Sequence, residues 1–267
     1  MAFGVAVACG LGSLVLHNFM TGVVNDASYP VTKPPFTSIV MCTLNEEKFI
    51  EDALCSLEGQ NIICEYPKSF EFIVVDSHSE DDTAAIAEDY GWKVIQAQRG
   101  KLNARHKGMV EAKGCVVVSV DADTFYPKNW LNLMLQWFKR PDVVGVVGPR
   151  LVDPQEGSWA TYVSVIFSLF DVGPLLAGGM RVPGQSVAFY RQAYFDVGGF
   201  DLSINQQDMH EMVREEEIRF ALKLRRLGKV IVDWRAPCFT SGRRTMLVGK
   251  GDKYLSWRRE QRSGMRF

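Results

Sequence analysis

Four short apolar stretches, separated by segments of helical spacing, constrain this chain more than any other feature. Ser38–Thr43 (SIVMCT), Phe70–Val75 (FEFIVV), Trp92–Ile95 and Cys115–Val120 (CVVVSV) have the length and the β-branched content of strands. Between them, Phe49, Ile50, Ala53, Leu54 and Leu57 recur at helical spacing, Asp82–Tyr90 reads as a helix with Asp81 or Asp82 near its cap, and Leu102–Ala112 as another. CVVVSV is apolar without alternation, as strands buried on both faces are. Alternating β and α units imply an α/β fold with an open, mostly parallel sheet flanked by helices. Farther on, Trp130–Trp137 reads as a helix and Val143–Val147 and SVAFYR (Ser186–Arg191) as strands. Glu215 to Leu227 reads as an amphipathic helix whose three opening acids, Glu215, Glu216 and Glu217, suit the helix dipole.

In such sheets ligands bind outside the carboxyl ends of the strands. Those ends are polar here: Thr43-Leu44-Asn45-Glu46, Asp76-Ser77-His78-Ser79 and Asp121-Ala122-Asp123. No G-x-G-x-x-G follows the first strand, which disfavours a dinucleotide site. Because strand side chains alternate, Asp121 and Asp123, flanking Ala122 directly after VVVSV, are expected to leave the sheet edge on the same side. Paired carboxylates suit Mn²⁺ or Mg²⁺, with waters and a substrate diphosphate completing the coordination. A turn that uses Asp for its own hydrogen bonds is the plainer alternative. Lys101 and Arg105 are sensible diphosphate partners, or else a solvated cationic helix face.

The 267 residues, 47% of them hydrophobic, suffice for one sizeable core. A formal net charge of -1 argues against a general nucleic-acid binder, which needs excess cations to displace counterions. Residues 1–24 are nearly uncharged and read as a membrane anchor, with a signal peptide or a buried helix as the alternatives; residues 25–36, with the proline-rich YPVTKPP, read as a linker. The catalytic domain is then expected over 37–242, followed by a basic tail over 243–267 whose cations outnumber its acids by about six. By the positive-inside tendency the protein is membrane-associated with its catalytic domain cytosolic. Thr161–Leu176, largely apolar with Asp171 as its single charge, suits either the core or a membrane surface. The six cysteines form no C-x-x-C pair, which points to a reducing compartment, and the cysteines and histidines show no zinc spacing. His78 and His106 fall in loops expected to face the ligand, whereas His17 and His210 have no clear partner.

Taken in order, TLNEE (43–47), VVDSHSEDDT (74–83), GKLNARHKG (100–108) and VDAD (120–123) resemble the inverting glycosyltransferases of family two, which have the GT-A fold. The resemblance extends roughly over Thr37–Ser241. It implies a transferase that uses a UDP- or GDP-linked nucleotide-diphosphate sugar and a glycan or lipid-linked acceptor. Thr43, Glu46 and Asp76 are implied to hold the base and ribose, Asp123 the metal, and Asp121 the ribose or a metal-bound water. Lys101 and Arg105 are implied to lie near the donor, and Phe239-Thr240-Ser241-Gly242-Arg243-Arg244, with its SGRR, to bring Arg243 and Arg244 to the diphosphate. Val197–Asp201 resembles the family's Gly-Gly-Phe-Asp turn near the acceptor. Matching LKLRRLG to the end of the family motif places Glu217 as the catalytic base, with Glu216 next, although the family usually has Asp at that position. The Gln-x-x-Arg-Trp of processive members is not reproduced at Gln261–Met265, so a non-processive enzyme is expected.

Two other classes compete. A nucleotidyltransferase calls for a glycine-rich basic loop after the first strand, which TLNEEKF lacks; a silent nucleotide-binding membrane scaffold would bind without turnover.

Overall fold

Strand β1 (Thr37–Thr43) lies near the middle of the molecule, paired in parallel with β2 (Phe70–Asp76) on one side and β4 (Val116–Asp121) on the other. The computed structural model describes residues 31–152, 184–203 and 209–241, with backbone only for 209–215. Around β1 the sheet has seven strands in the order β3-β2-β1-β4-β8-β6-β9, where β3 is Lys93–Gln96, β6 Val143–Val147, β8 Ser186–Tyr190 and β9 Lys229–Val232. Every pairing is parallel except those of β8, which runs against both neighbours. The sheet is thus mostly parallel, as expected. The direction of β8 was not legible, because a buried apolar run looks the same read either way.

Side-chain alternation distributes the strands between two cores. Ile39, Met41, Val74, Val116, Val118 and Val120 face one layer, where they meet Ile50 and Leu54 of α1 (Ile50–Glu58) and Trp130 and Leu133 of α5 (Trp130–Leu135). Val40, Ile73, Val75 and Val117 face the other. There they meet Ala104 and Met109 of α4 (Lys101–Glu111), Tyr194 of α6 (Arg191–Asp196) and Phe220 and Leu224 of α7 (Met209–Leu224). Each fully buried Ile or Leu contributes roughly 1.5–3 kcal/mol. Short α2 (Asn61–Glu65) and α3 (Thr83–Asp89) complete the helices of the first half.

A second sheet, ordered β5-β10-β7, is built from Thr124–Phe125, Cys238–Thr240 and Arg150–Val152. It carries the end of the described chain back to the strand that follows β4. Buried Gln60 secures the same region: its Nε2 donates to the carbonyls of Ser56, Tyr126 and Pro127, while its Oε1 accepts from the Leu131 amide. A side chain so fully satisfied fixes the loop after β5 against α1.

Two expectations are corrected. The helix over Trp130–Trp137 ends at Leu135 and tightens into a 3-10 turn over Gln136–Lys139. Helix α7 begins at Met209, so Glu215, Glu216 and Glu217 lie in its middle and not in its first turn. The segment MHEMVR contains no helix breaker and extends the helix upstream of the acids. The dipole explanation for them falls, since that effect is confined to a terminal turn. No helix among the described residues is long and apolar enough to cross a membrane. The proposed anchor (1–24), Thr161–Leu176, and Arg243 and Arg244 with the rest of the tail lie outside the described residues.

Candidate active site

Parallel register makes three strands end level. Thr43 stands beside Asp76, and Cys42 beside Asp121, so Thr43, Asp76 and Asp121 come to one edge of the sheet. Thr43 Oγ1 donates to Asp76 Oδ1 at 3.1 Å, and Asp76 also accepts from the Ser79 amide at 3.0 Å and the Ser79 hydroxyl at 2.5 Å. The loops after β1 and β2 are joined by the Asn45 amide donating to Ser79 Oγ, the Glu80 amide to Asn45 Oδ1, and the Glu46 amide to Thr83 Oγ1. Asn45 and His78 have positive φ (55° and 61°), a region that asparagine and histidine tolerate better than most residues. Thr43, Glu46 and Asp76 are all buried at this edge.

A second cluster lies beside it. Lys101 Nζ pairs with Asp121 Oδ2 at 2.9 Å. Four residues farther along α4, Arg105 places Nη2 3.8 Å from Asp121 Oδ1 and donates from Nη1 to Glu217 Oε1 at 2.7 Å. Glu217 Oε1 also accepts from the Gly184 amide at 3.4 Å. Arg105 is 1% exposed and Glu217 3%, so Arg105 belongs to no solvated helix face; its contacts go to Glu217 and Asp121. Burial works against the charge on Arg105, but Glu217 and Asp121 outweigh it and hold the guanidinium more firmly protonated than usual.

The two aspartates of D-A-D take different surroundings. β4 ends at Asp121, and Ala122 and Asp123 form the turn into β5, so strand alternation does not extend to Asp123. Asp121 faces α4, whereas Asp123 lies by the second sheet, its Oδ1 3.5 Å from the hydroxyls of Thr124 and Thr240 and its carbonyl accepting from the Ser241 amide at 3.0 Å. Among the described residues no group of three His, Cys, Asp or Glu side chains could cage a metal. The donor set suits a hard cation held through a carboxylate and substrate phosphates.

Glu216 and Glu217 are adjacent on α7, and neighbours on a helix diverge by about 100°. Glu216, fully buried, turns to the Gly-Gly-Phe-Asp segment: its Oε1 accepts from the Asp201 amide at 2.9 Å and lies 3.7 Å from Lys223 Nζ, which donates to the Gly199 carbonyl. Gly199 has φ +64°, and a Cβ there would stand 2.9 Å from the Tyr194 ring, so this glycine serves the turn and its packing. His106 lies in α4 and not in a loop; its Nδ1 is 2.9 Å from Tyr194 Oη.

Three groups in the site escaped the sequence reading. Tyr126 Oη accepts from the Asp121 amide at 2.9 Å and donates to the Gln185 carbonyl at 3.0 Å; burial keeps its phenol neutral, well above its usual range. Thr240 reaches Asp123 from a strand more than 100 residues later. Gly184, just before β8, abuts Arg105, a contact that only the fold shows. Of these, an aromatic five residues after Asp121 was the one local signal.

Comparison with known proteins gives a consistent result. The family model described as glycosyl transferase family 2 matches residues 38–199. Poly-beta-1,6-N-acetyl-D-glucosamine synthases of Staphylococcus epidermidis and Staphylococcus aureus are 27% identical to this chain over 184 residues, 64% of this chain and 43% of theirs. The chain therefore spans less than half the length of these curated relatives. A mannosyltransferase from Pyrobaculum calidifontis, solved with GDP-Man and Mn²⁺, superposes with TM-score 0.60 at 22% identity, covering 97% of this chain and 72% of that one. Glucosyl-3-phosphoglycerate synthase from Mycobacterium tuberculosis, solved with Mn²⁺ and uridine-diphosphate-glucose, gives 0.54 at 19% identity over 86% of this chain and 77% of that one. These structures share the GT-A-like α/β fold described above. With the family match extending over more than half of its residues, the chain belongs to glycosyl transferase family 2.

Proposed function

We propose that this glycosyltransferase transfers a sugar, with inversion, from a UDP- or GDP-linked donor to a hydroxyl or lipid-phosphate oxygen of a glycan or lipid-linked acceptor. One observation carries the reading: a line of charged contacts runs from the strand ends, through Lys101, Asp121 and Arg105, to an acid buried in α7. Thr43, Glu46 and Asp76 hold the base and ribose at the outer edge. Lys101, with its side chain a third exposed, faces the diphosphate. Asp123, seconded by Asp121, would hold Mn²⁺ or Mg²⁺, which when bound supplies positive charge to the departing nucleoside diphosphate. The Pyrobaculum and Mycobacterium enzymes were solved with Mn²⁺ and a nucleotide sugar, which supports a divalent metal and a nucleotide-sugar donor here. Arg105 stands behind this layer and serves Glu217. Glu217 takes the proton of an acceptor hydroxyl as that oxygen attacks the anomeric carbon and the carbon's bond to the diphosphate breaks, which inverts the centre.

Incubation with a panel of UDP- and GDP-sugars, with and without Mn²⁺, tests the proposal, and the anomeric configuration of the product is read by NMR. Metal-dependent release of nucleoside diphosphate with an inverted product is expected. Retained configuration would overturn the single displacement; tight nucleotide binding without any turnover would indicate a scaffold. A membrane anchor over 1–24 with the domain on the cytosolic side belongs to the same reading, and deleting those residues is expected to release the protein from membranes.

A further inference from the structure

Arg105 has a placement that donor binding does not explain. Its side chain crosses from α4 to α7 and, 1% exposed, lines a small pocket together with Ser119, Val187, Phe189, Glu217 and Phe220. A single one of its nitrogens, Nη1, hydrogen-bonds Glu217; Nε and Nη2 are buried and make no hydrogen bond among the described residues. An arginine retained for stability alone would normally have all its N–H groups engaged. Gly184 completes the arrangement. A Cβ on Gly184 would lie 1.7 Å from Nη2 and 1.8 Å from Cζ of Arg105, so the guanidinium occupies the space where any other residue would put its side chain. The Gly184 amide meanwhile points at the same Glu217 oxygen that Arg105 holds.

We infer that Arg105 is a positioning residue for Glu217, and that Gly184 is a glycine so that Arg105 can reach it. A glutamate has several rotatable bonds and is one methylene longer than the aspartate usual in the family, so its oxygen needs an external fix. A planar guanidinium supplies one, because its N–H directions are fixed by the plane of its carbon and three nitrogens, whereas a lysine offers a point charge on a flexible stem. The other end of the guanidinium lies against Asp121, so the position of Glu217 is referred to the end of β4, where the donor edge is. Misplacing a reacting group by about 1 Å can cost 10²-fold in rate, which sets the scale of the effect.

This inference rests on the proposed role of Glu217, and the test separates the two. Full-length Arg105→Met, Arg105→Lys, Gly184→Ala, Glu217→Gln and the double variants are compared for kcat, donor KM, affinity for the nucleoside diphosphate with Mn²⁺, and melting temperature. Arg105→Met is expected to lower kcat by about 10²-fold while nucleoside diphosphate affinity stays within about threefold. Arg105→Lys recovers little of the loss, and Gly184→Ala, which removes no charge, loses kcat on the same scale. Arg105→Met removes a cation from beside a buried carboxylate and can destabilise the fold. Arg105→Met/Glu217→Gln removes that imbalance and is expected to be no slower than Glu217→Gln alone. Full kcat in Arg105→Lys or Gly184→Ala, a further tenfold loss on adding Arg105→Met to Glu217→Gln, or nucleoside diphosphate affinity that falls together with kcat would each overturn the positioning role. Full turnover in Glu217→Gln would instead remove the base assignment itself.

Discussion

At the outer edge of the site Asp76 is held by uncharged donors, Thr43 and the amide and hydroxyl of Ser79, all within adjoining strand ends. At the inner edge Asp121 and Glu217 share two cations, and the contact between Arg105 and Glu217 joins residues 112 apart in sequence. The outer carboxylate is therefore shaped by local chain geometry, which suits the neutral ribose or base proposed to bind there. The inner ones are coupled through charge across the buried guanidinium of Arg105, so that a change at one member is felt by the others. Asp123 belongs to neither group, being set in the turn between the two sheets.

That division orders the expected effects of mutation. Asp123→Ala is expected to abolish transfer, by about 10³-fold or more, with the melting temperature nearly unchanged, because it removes a ligand at a turn and no core contact. Near-normal turnover in saturating Mn²⁺ would displace the metal from this residue. Glu217→Gln comes next, with transfer about 10²-fold slower and donor binding retained, the scale on which a general base contributes. Glu216→Gln sharpens the contrast between neighbours: its oxygen holds the Asp201 amide, a bond that Gln preserves, so kcat is expected to fall less than about tenfold. A larger loss at Glu216 than at Glu217 would exchange their roles.

The difference between the edges also explains how much could be read from sequence. Thr43, Asp76 and Asp121 were legible because a strand-end rule applies to each residue separately and the register aligns them. Both strand alternation and the helix-dipole argument failed where an element's boundary lay elsewhere: β4 stops at Asp121, and α7 starts at Met209. The Arg105–Glu217 pair and its clearance at Gly184 depend on how α4, α7 and the start of β8 meet, which periodicity does not encode. The resemblance named both Arg105 and Glu217, yet as donor partner and base; that they hold each other is a property of the fold.

Lys101 and Thr43 give the smaller effects and test the comparison from both sides. Lys101 is partly exposed, so its pairing with Asp121 is weaker than the buried pair behind it. In the proposed complex its charge turns to the diphosphate. Lys101→Ala is therefore expected to raise the donor KM by about tenfold with a smaller change in kcat, on the scale of one charge-assisted hydrogen bond.

Thr43→Val keeps the shape and β-propensity of the strand end and deletes only the hydroxyl that donates to Asp76 Oδ1. Asp76 retains both Ser79 donors, so its carboxylate is not left unsatisfied, and the penalty is about 1 kcal/mol, or roughly fivefold in donor affinity. Because Asp76 is held here by uncharged donors only, the loss should appear in donor KM and leave kcat and its dependence on Arg105 unchanged. Combining Thr43→Val with Gly184→Ala makes this exact: independent edges give additive free energies, within about 0.5 kcal/mol. A coupling of 1 kcal/mol or more would mean that the two edges move as one unit, and the distinction between a local outer edge and a charge-coupled inner one would fail.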